Sequence, residues 1–111
     1  MDDLDQYRRI IRNALTSFTG RRYAFSDIEN EAVFDEKNDR YLVVSQGWEP
    51  NKRIHGVLIH IDIINGKVWI QRDGTEDGIA NRFVESGIPK DRIVLAFHSP
   101  GVRKLTDFAV A

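Results

Sequence analysis

The dipeptide Asn65-Gly66 lies between two runs of alternating apolar residues and constrains this chain more than any other feature. A two-residue type I′ turn needs positive φ at both central positions, which asparagine and glycine adopt at little cost. Such a turn fixes which residues of the two flanking strands face each other. The predicted cross-strand pairs are Ile63–Val68, Asp62–Trp69, Ile61–Ile70 and His60–Gln71.

This register divides the hairpin into one apolar face and one mixed face, because successive side chains of a strand point to opposite sides. The apolar face consists of valine and isoleucine and should lie in the core. It comprises Val57, Ile59, Ile61, Ile63, Val68 and Ile70. The mixed face comprises Leu58, His60, Asp62, Trp69, Gln71 and Asp73.

An amphipathic helix is predicted at the start of the chain. Apolar residues recur every three or four positions from Leu4 to Phe18, which gives one apolar stripe. Asp2 or Asp3 can cap the free N–H groups of the first turn. Gly20 should end the helix, since glycine enters the left-handed region without a Cβ penalty.

Two further strands are predicted before the hairpin. Residues 25–34 alternate weakly and carry many charges, as expected of an edge strand, and residues 41–48 form a more apolar strand. The number of residues in each connecting loop decides which residues of these strands lie on the core side of the sheet. An odd number instead of an even one exchanges the residues of the core face with those of the mixed face. With even loops, the core gains Leu42 and Val44, and the mixed face gains Tyr41 and Val43.

A second helix is predicted after the hairpin. It should begin at Thr75, or at Asp73 with Glu76 as a capping box. Gly87 should end it, with Ile88 folding back on its last turn.

The predicted fold class is α+β in a single domain over residues 1–111. It consists of a four-stranded antiparallel meander with an N-terminal helix and a second helix after strand four. The apolar run of residues 93–97 predicts a further short strand, and the apolar residues 108–111 should dock on the domain.

Composition excludes several classes of function. The chain has no cysteine, hence no disulfide, no thiolate nucleophile and no zinc–thiolate site. Its net charge is −1, so no overall positive charge attracts it to nucleic acid or to a membrane. No stretch approaches the roughly 20 apolar residues of a membrane span, and the N-terminus lacks a signal-peptide pattern. No phosphate-binding glycine loop or nucleophile elbow occurs. We therefore expect a cytoplasmic protein without membrane contact, enzyme activity, metal or cofactor.

His60 and Asp62 are the best candidates for chemistry, because one strand face carries both, roughly 7 Å apart at Cα. With Asp73 they could serve a small metal-dependent hydrolase or nuclease. His55 differs from His60 in parity and should point to the opposite face, which argues against a two-histidine site. Residues 73–78 lack the alternating ligands of a calcium loop, and helix capping explains them better.

The mixed face predicts a protein interface, because aromatic and aliphatic side chains alternate there with polar ones. The alternative is that residues 93–97 and the apolar end of the chain cover this face within the same chain. Direct contact of the N-terminal arginines with DNA phosphates is another interpretation. The interface candidates are Tyr41, Val43, Leu58, His60, Asp62, Trp69 and Gln71; the arginine candidates are Arg8, Arg9, Arg12, Arg21 and Arg22.

The run VLIHIDIINGKVWIQRDGTE, together with GIPK, FH-x-P and the closing FAVA, resembles the XisI family, the fdxN-element excision controlling factors of cyanobacteria. The resemblance covers nearly the whole chain. It implies an α+β domain with an accessory role in developmentally regulated, site-specific DNA excision, as in heterocysts. It also implies an XisH-like partner and an XisF-type serine recombinase. Independently of the resemblance, a second copy of the chain is a further candidate partner for the mixed face. The family offers no catalytic residue to transfer, so the resemblance implies a controlling factor that acts by protein contact.

Overall fold

The computed structural model describes residues 3–20 and 27–111. A mixed five-stranded sheet has the order β1-β2-β3-β4-β5, in which the first four strands are antiparallel and β5 runs parallel to β4. The α+β class and the four-stranded meander are confirmed, and the run at residues 93–97 supplies the fifth strand. The elements are α1 (Asp3–Thr16), β1 (Glu29–Asp35), β2 (Arg40–Glu49), β3 (Lys52–Ile64), β4 (Lys67–Asp73), α2 (Ile79–Ser86), β5 (Ile93–Leu95) and α3 (Pro100–Arg103).

The Asn65-Gly66 turn forms as predicted, with φ of 52° and 77°. The predicted pair His60–Gln71 is wrong, because His60 lies opposite Arg72. A bulge in β4 leaves Gln71 as an extra residue and shifts the register beyond it. The confirmed pairs are Ile63–Val68, Asp62–Trp69 and Ile61–Ile70.

A second bulge, at Leu58 in β3, changes which residues of β2 face the core. Val44 lies opposite Val57 whereas Val43 lies opposite Ile59, so Leu58 has no partner in β2. The loop between β2 and β3 has an even number of residues, as expected. The bulge nevertheless adds one residue to β3, which has the same effect on the faces as an odd loop.

The prediction that Tyr41 and Val43 lie on the mixed face is therefore wrong. Both are fully buried in the core, where Tyr41 pairs with Ile61. Leu42 and Val44 consequently point to the other side of the sheet, because β2 itself alternates regularly through this region.

Helices α1 and α2 cover the core face of the sheet. The buried positions of α1 follow the predicted stripe. The helix ends at Thr16, earlier than predicted, and the turn that follows it reaches Gly20, which has φ 71°. Asp2 and residues 25–26, to which the predicted helix start and first strand extended, lie outside the described residues. The buried residues of the two helices are Tyr7, Ile11, Ala14, Leu15, Ile79 and Phe83.

Helix α2 starts later than predicted, at Ile79, and the capping box with Glu76 does not form. Asp73 still accepts a hydrogen bond from the Ile79 amide at 2.8 Å, from six residues upstream. The predicted end is confirmed. Gly87 has φ 117°, and the Ile88 amide donates to the Phe83 carbonyl at 3.0 Å.

A polar cluster ties α1 to the turn between β1 and β2. The Arg8 guanidinium donates to both carboxylate oxygens of Asp39, at 2.8 and 3.1 Å, and the Tyr41 hydroxyl donates to the same carboxylate at 3.0 Å. The hydrogen bond from Arg8 holds the pKa of Asp39 below its usual value. Burial, and then the bond to Asp39, raises the pKa of Tyr41 to about 12.

We expect Asp39→Asn to lower the free energy of unfolding near pH 7 by about 1–2 kcal/mol, because the charge-assisted bonds from Arg8 are lost. Asparagine tolerates the positive φ of 53° at this position. Since the folded pKa of Asp39 lies below the unfolded value of about 3.9, its contribution is full above that value. The difference from wild type should therefore shrink as the pH falls from about 5 to about 2.

Urea denaturation at several pH values measures this difference. Asp5→Asn is the matched control, since Asp5 also contacts Arg8 at 2.8 Å but its side chain is 69% exposed. An exposed pair contributes little, so we expect a change within about 0.5 kcal/mol. A cost at Asp39 that persists unchanged at pH 2 would contradict the electrostatic explanation.

Candidate interaction site

The sheet surface opposite α1 and α2, here called the outer face, is the candidate site. Strand alternation and the observed register place its residues. It combines aliphatic side chains of β1–β3 with a cluster of polar side chains and with a tryptophan of β4. Its residues are Val33, Leu42, Val44, Val57, His60, Asp62, Trp69 and Gln71.

Four of the seven predicted interface residues lie together on the outer face, namely His60, Asp62, Trp69 and Gln71. The other three do not. Tyr41 and Val43 belong to the core, and Leu58 packs against its edge. Leu58 is held there because its carbonyl accepts the Gly74 amide at 2.8 Å, beyond the end of β4.

Asp62 organises the polar part of the outer face. One of its carboxylate oxygens lies 2.9 Å from His60 Nε2, and the other accepts from the Gln71 amide at 3.3 Å. Both oxygens are thus already engaged, as in a structural hydrogen-bond cluster.

The structure does not bring Asp73 to His60 and Asp62. Asp73 lies opposite the buried Ile59 and binds the start of α2. The prediction for His55 is also wrong, because the bulge at Leu58 puts it on the same face as His60. Among residues 3–20 and 27–111, no group of three histidine, aspartate or glutamate side chains could hold a metal ion.

The C-terminal segment, residues 96–111, covers the part of the outer face above β4. The Arg103 guanidinium lies 5.6 Å from the centroid of the Trp69 ring. It also donates to the carbonyls of His98, Ala96 and Val110, at 2.9, 3.3 and 3.4 Å. The Ala109 amide donates to the Ile93 carbonyl at 2.9 Å, so the end of the chain docks as predicted.

The part of the outer face over β1–β3 stays accessible. Val33 is 50% exposed, and Leu42, Val44 and Val57 are half-buried. The alternative interpretation, cover by the chain's own C-terminal segment, thus holds over β4, while an open aliphatic area remains over β1–β3.

Sequence reasoning missed these four aliphatic residues on the outer face, and the predictions that Leu42, Val44 and Val57 lie in the core are wrong. Residues 41–44 read Tyr-Leu-Val-Val, which is apolar in both parities, so the pattern alone cannot select the core face. Gly56 was the available signal. A glycine inside a strand often marks a bulge, and this one lies two residues before Leu58.

The N-terminal arginines are partly neutralised within the domain. Arg8 is bound by Asp39, and Arg12 lies 3.1 Å from Glu36. Arg9 is exposed, and the remaining two candidates, Arg21 and Arg22, lie outside the described residues. Within the part of the chain that the structure describes, no helix has the length and apolarity needed to cross a membrane.

The chain is a small α+β domain in which two helices cover one side of a bulged antiparallel meander. The other side is only partly covered, so it presents a surface to which another protein could bind. A family model described as XisI protein matches residues 1–110. The chain therefore belongs to the XisI family.

Solved structures agree with this assignment. A XisI-like protein from Anabaena variabilis ATCC 29413 is 31% identical, with a TM-score of 0.87 over 97% of this chain and 99% of that one. The fdxN element excision controlling factor XisI from the same organism is 33% identical, with a TM-score of 0.83 over 99% of this chain and 100% of that one. No curated protein sequence matches.

Proposed function

We propose that this protein is a non-enzymatic accessory factor for site-specific DNA excision of the fdxN-element type. It acts in the cytoplasm by contact with an XisH-like protein and, through that complex, with an XisF-type serine recombinase. Membership of the XisI family supports the excision role, since one similar structure is that of an excision controlling factor. The open aliphatic area over β1–β3 supports protein contact.

This area has the character of the centre of a protein interface. Its aliphatic side chains, Leu42, Val44 and Val57, are flanked by the polar cluster of His60 and Asp62. An apolar centre with a polar rim is typical of specific protein contacts. Burying the aliphatic groups gains roughly 25 cal/mol per Å² of apolar surface, and the polar rim favours one orientation.

Charge favours a protein partner over DNA as the direct ligand. DNA affinity grows with the number of phosphates that lysine and arginine neutralise. The net charge of the chain is −1, and Arg8 and Arg12 already pair with carboxylates.

We expect Val44→Glu to weaken capture of an XisH-like protein from the same genome by tenfold or more. A charge placed at the centre of an apolar contact loses its hydration when the partner binds. Titration by isothermal calorimetry or biolayer interferometry measures the affinity, and thermal unfolding verifies the fold. Leu105→Glu is the matched control, because Leu105 is 85% exposed and lies in the C-terminal segment.

Full affinity of Val44→Glu, with loss only in Leu105→Glu, would move the contact to the C-terminal segment and overturn the proposed site. Direct binding of this protein to DNA would give a different result. The protein alone would then bind excision-site duplex with an affinity that falls steeply with salt, and Val44→Glu would leave that affinity unchanged.

A further inference from the structure

Half of β3 has a free edge. β4 ends at Asp73, opposite Ile59, so it does not reach the part of β3 before the bulge. Residues 52–57 pair with β2 on one side, and the register of the described residues gives them no strand on the other. An uncovered strand edge is a template for another strand.

The register shows which backbone groups point to this edge. β2 and β3 are joined by a two-residue connection, so the flanking pair Glu49–Lys52 exchanges hydrogen bonds. The N–H and C=O groups of alternate residues, Arg53, His55 and Val57, then point away from β2. One contact agrees with this direction, since Arg72 Nε donates to the Val57 carbonyl at 2.7 Å. No other described residue bonds the outward N–H and C=O groups of Arg53 and His55, so both residues keep these groups available.

We propose that a second copy of this chain pairs with the first through this edge, as an antiparallel dimer. A two-fold axis through Ile54 places Arg53 of each copy opposite His55 of the other. The two residues can then exchange both N–H···O bonds, giving four across the dimer, while the Arg72–Val57 contact stays intact. The Ile54 side chains of the two copies meet on the axis as a non-hydrogen-bonded pair, the closer of the two kinds.

Charge complementarity favours a second copy as the occupant. In this arrangement the tip of each β2–β3 hairpin, with Lys52, reaches the end of β4 in the other copy. The exposed Glu76 and Asp77 lie just beyond that end.

His55→Pro tests the backbone pairing. Proline removes the N–H that points to the free edge and leaves the bonds between β2 and β3, as at other strand edges. Sedimentation velocity of wild type over a concentration series should show a monomer–dimer equilibrium, and the variant should weaken dimerisation at least tenfold. Ala32→Pro on the outer edge of β1 is the matched control, and His55→Ala should retain the dimer because its N–H remains.

Charge exchange provides a second test that does not involve proline. Lys52→Glu and Glu76→Lys should each weaken self-association, and an equimolar mixture of the two variants should restore a heterodimer. A wild type that stays monomeric at millimolar concentration overturns the proposal. The proposal is also overturned if dimerisation is unaffected by His55→Pro and by both charge variants. The dimer contact can be tested separately from the proposed contact with the XisH-like protein, because a folded His55→Pro variant should still capture that protein.

Discussion

Gly47→Ala should lower the free energy of unfolding by about 3 kcal/mol or more, because no space exists for a Cβ. A Cβ built on Gly47 would lie 2.1 Å from the Asp27 carbonyl oxygen and 2.7 Å from the Ile28 Cα. Both atoms are backbone, so relief requires displacement of the chain that leads into β1. The φ of 152° adds strain for any residue with a side chain.

Gly56→Ala is the matched control for that variant. Gly56 lies in β3 beside the same part of β2, yet a Cβ there meets no atom within 4 Å. We expect a change within about 0.5 kcal/mol, in either direction. Urea denaturation followed by tryptophan fluorescence measures both variants. Similar stabilities for the two would show that the entry to β1 moves away freely.

Arg103→Ala should release the C-terminal segment from the sheet, at a cost of about 2 kcal/mol. The variant loses the three carbonyl contacts and the stacking over Trp69 described above. Arg103→Lys should restore little of this stability, because an ammonium group cannot reproduce a planar fork of donors.

Trp69 fluorescence reports this release directly. Trp48 is the other tryptophan, so the measurement needs a Trp48→Phe background. We expect a red-shifted emission in Arg103→Ala and faster proteolysis within residues 96–111. Arg92→Ala, an exposed arginine in the turn before β5, is the matched control. An unchanged emission in a folded Arg103→Ala variant would show that other contacts hold the segment.

Local signals predicted much of this fold correctly. The Asn65-Gly66 turn depends on φ at two adjacent residues, and the end of α2 depends on Gly87 and its neighbour Ile88. In each case the favoured conformation is set by residues close in the chain, so one sequence suffices.

The two bulges could not be predicted in the same way. The bulges at Leu58 and Gln71 each depend on how a whole strand fits its neighbours and the helices. A single extra residue exchanges faces, which moved Tyr41 and Val43 from the expected interface into the core. The role of Arg103 had no sequence signal either, because an arginine next to a lysine in a short polar stretch cannot be distinguished from a solvated charge by sequence alone.

The strand order has a consequence for the order of folding. Strands β1 to β4 are neighbours both in the chain and in the sheet, so each pairing closes only a short loop. The parallel pairing of β5 requires the chain to pass through α2 first, and residues 96–111 dock in part on β5 and β4. During synthesis the meander can therefore assemble before residues 96–111 leave the ribosome, and Arg103 cannot stack on Trp69 until that segment docks.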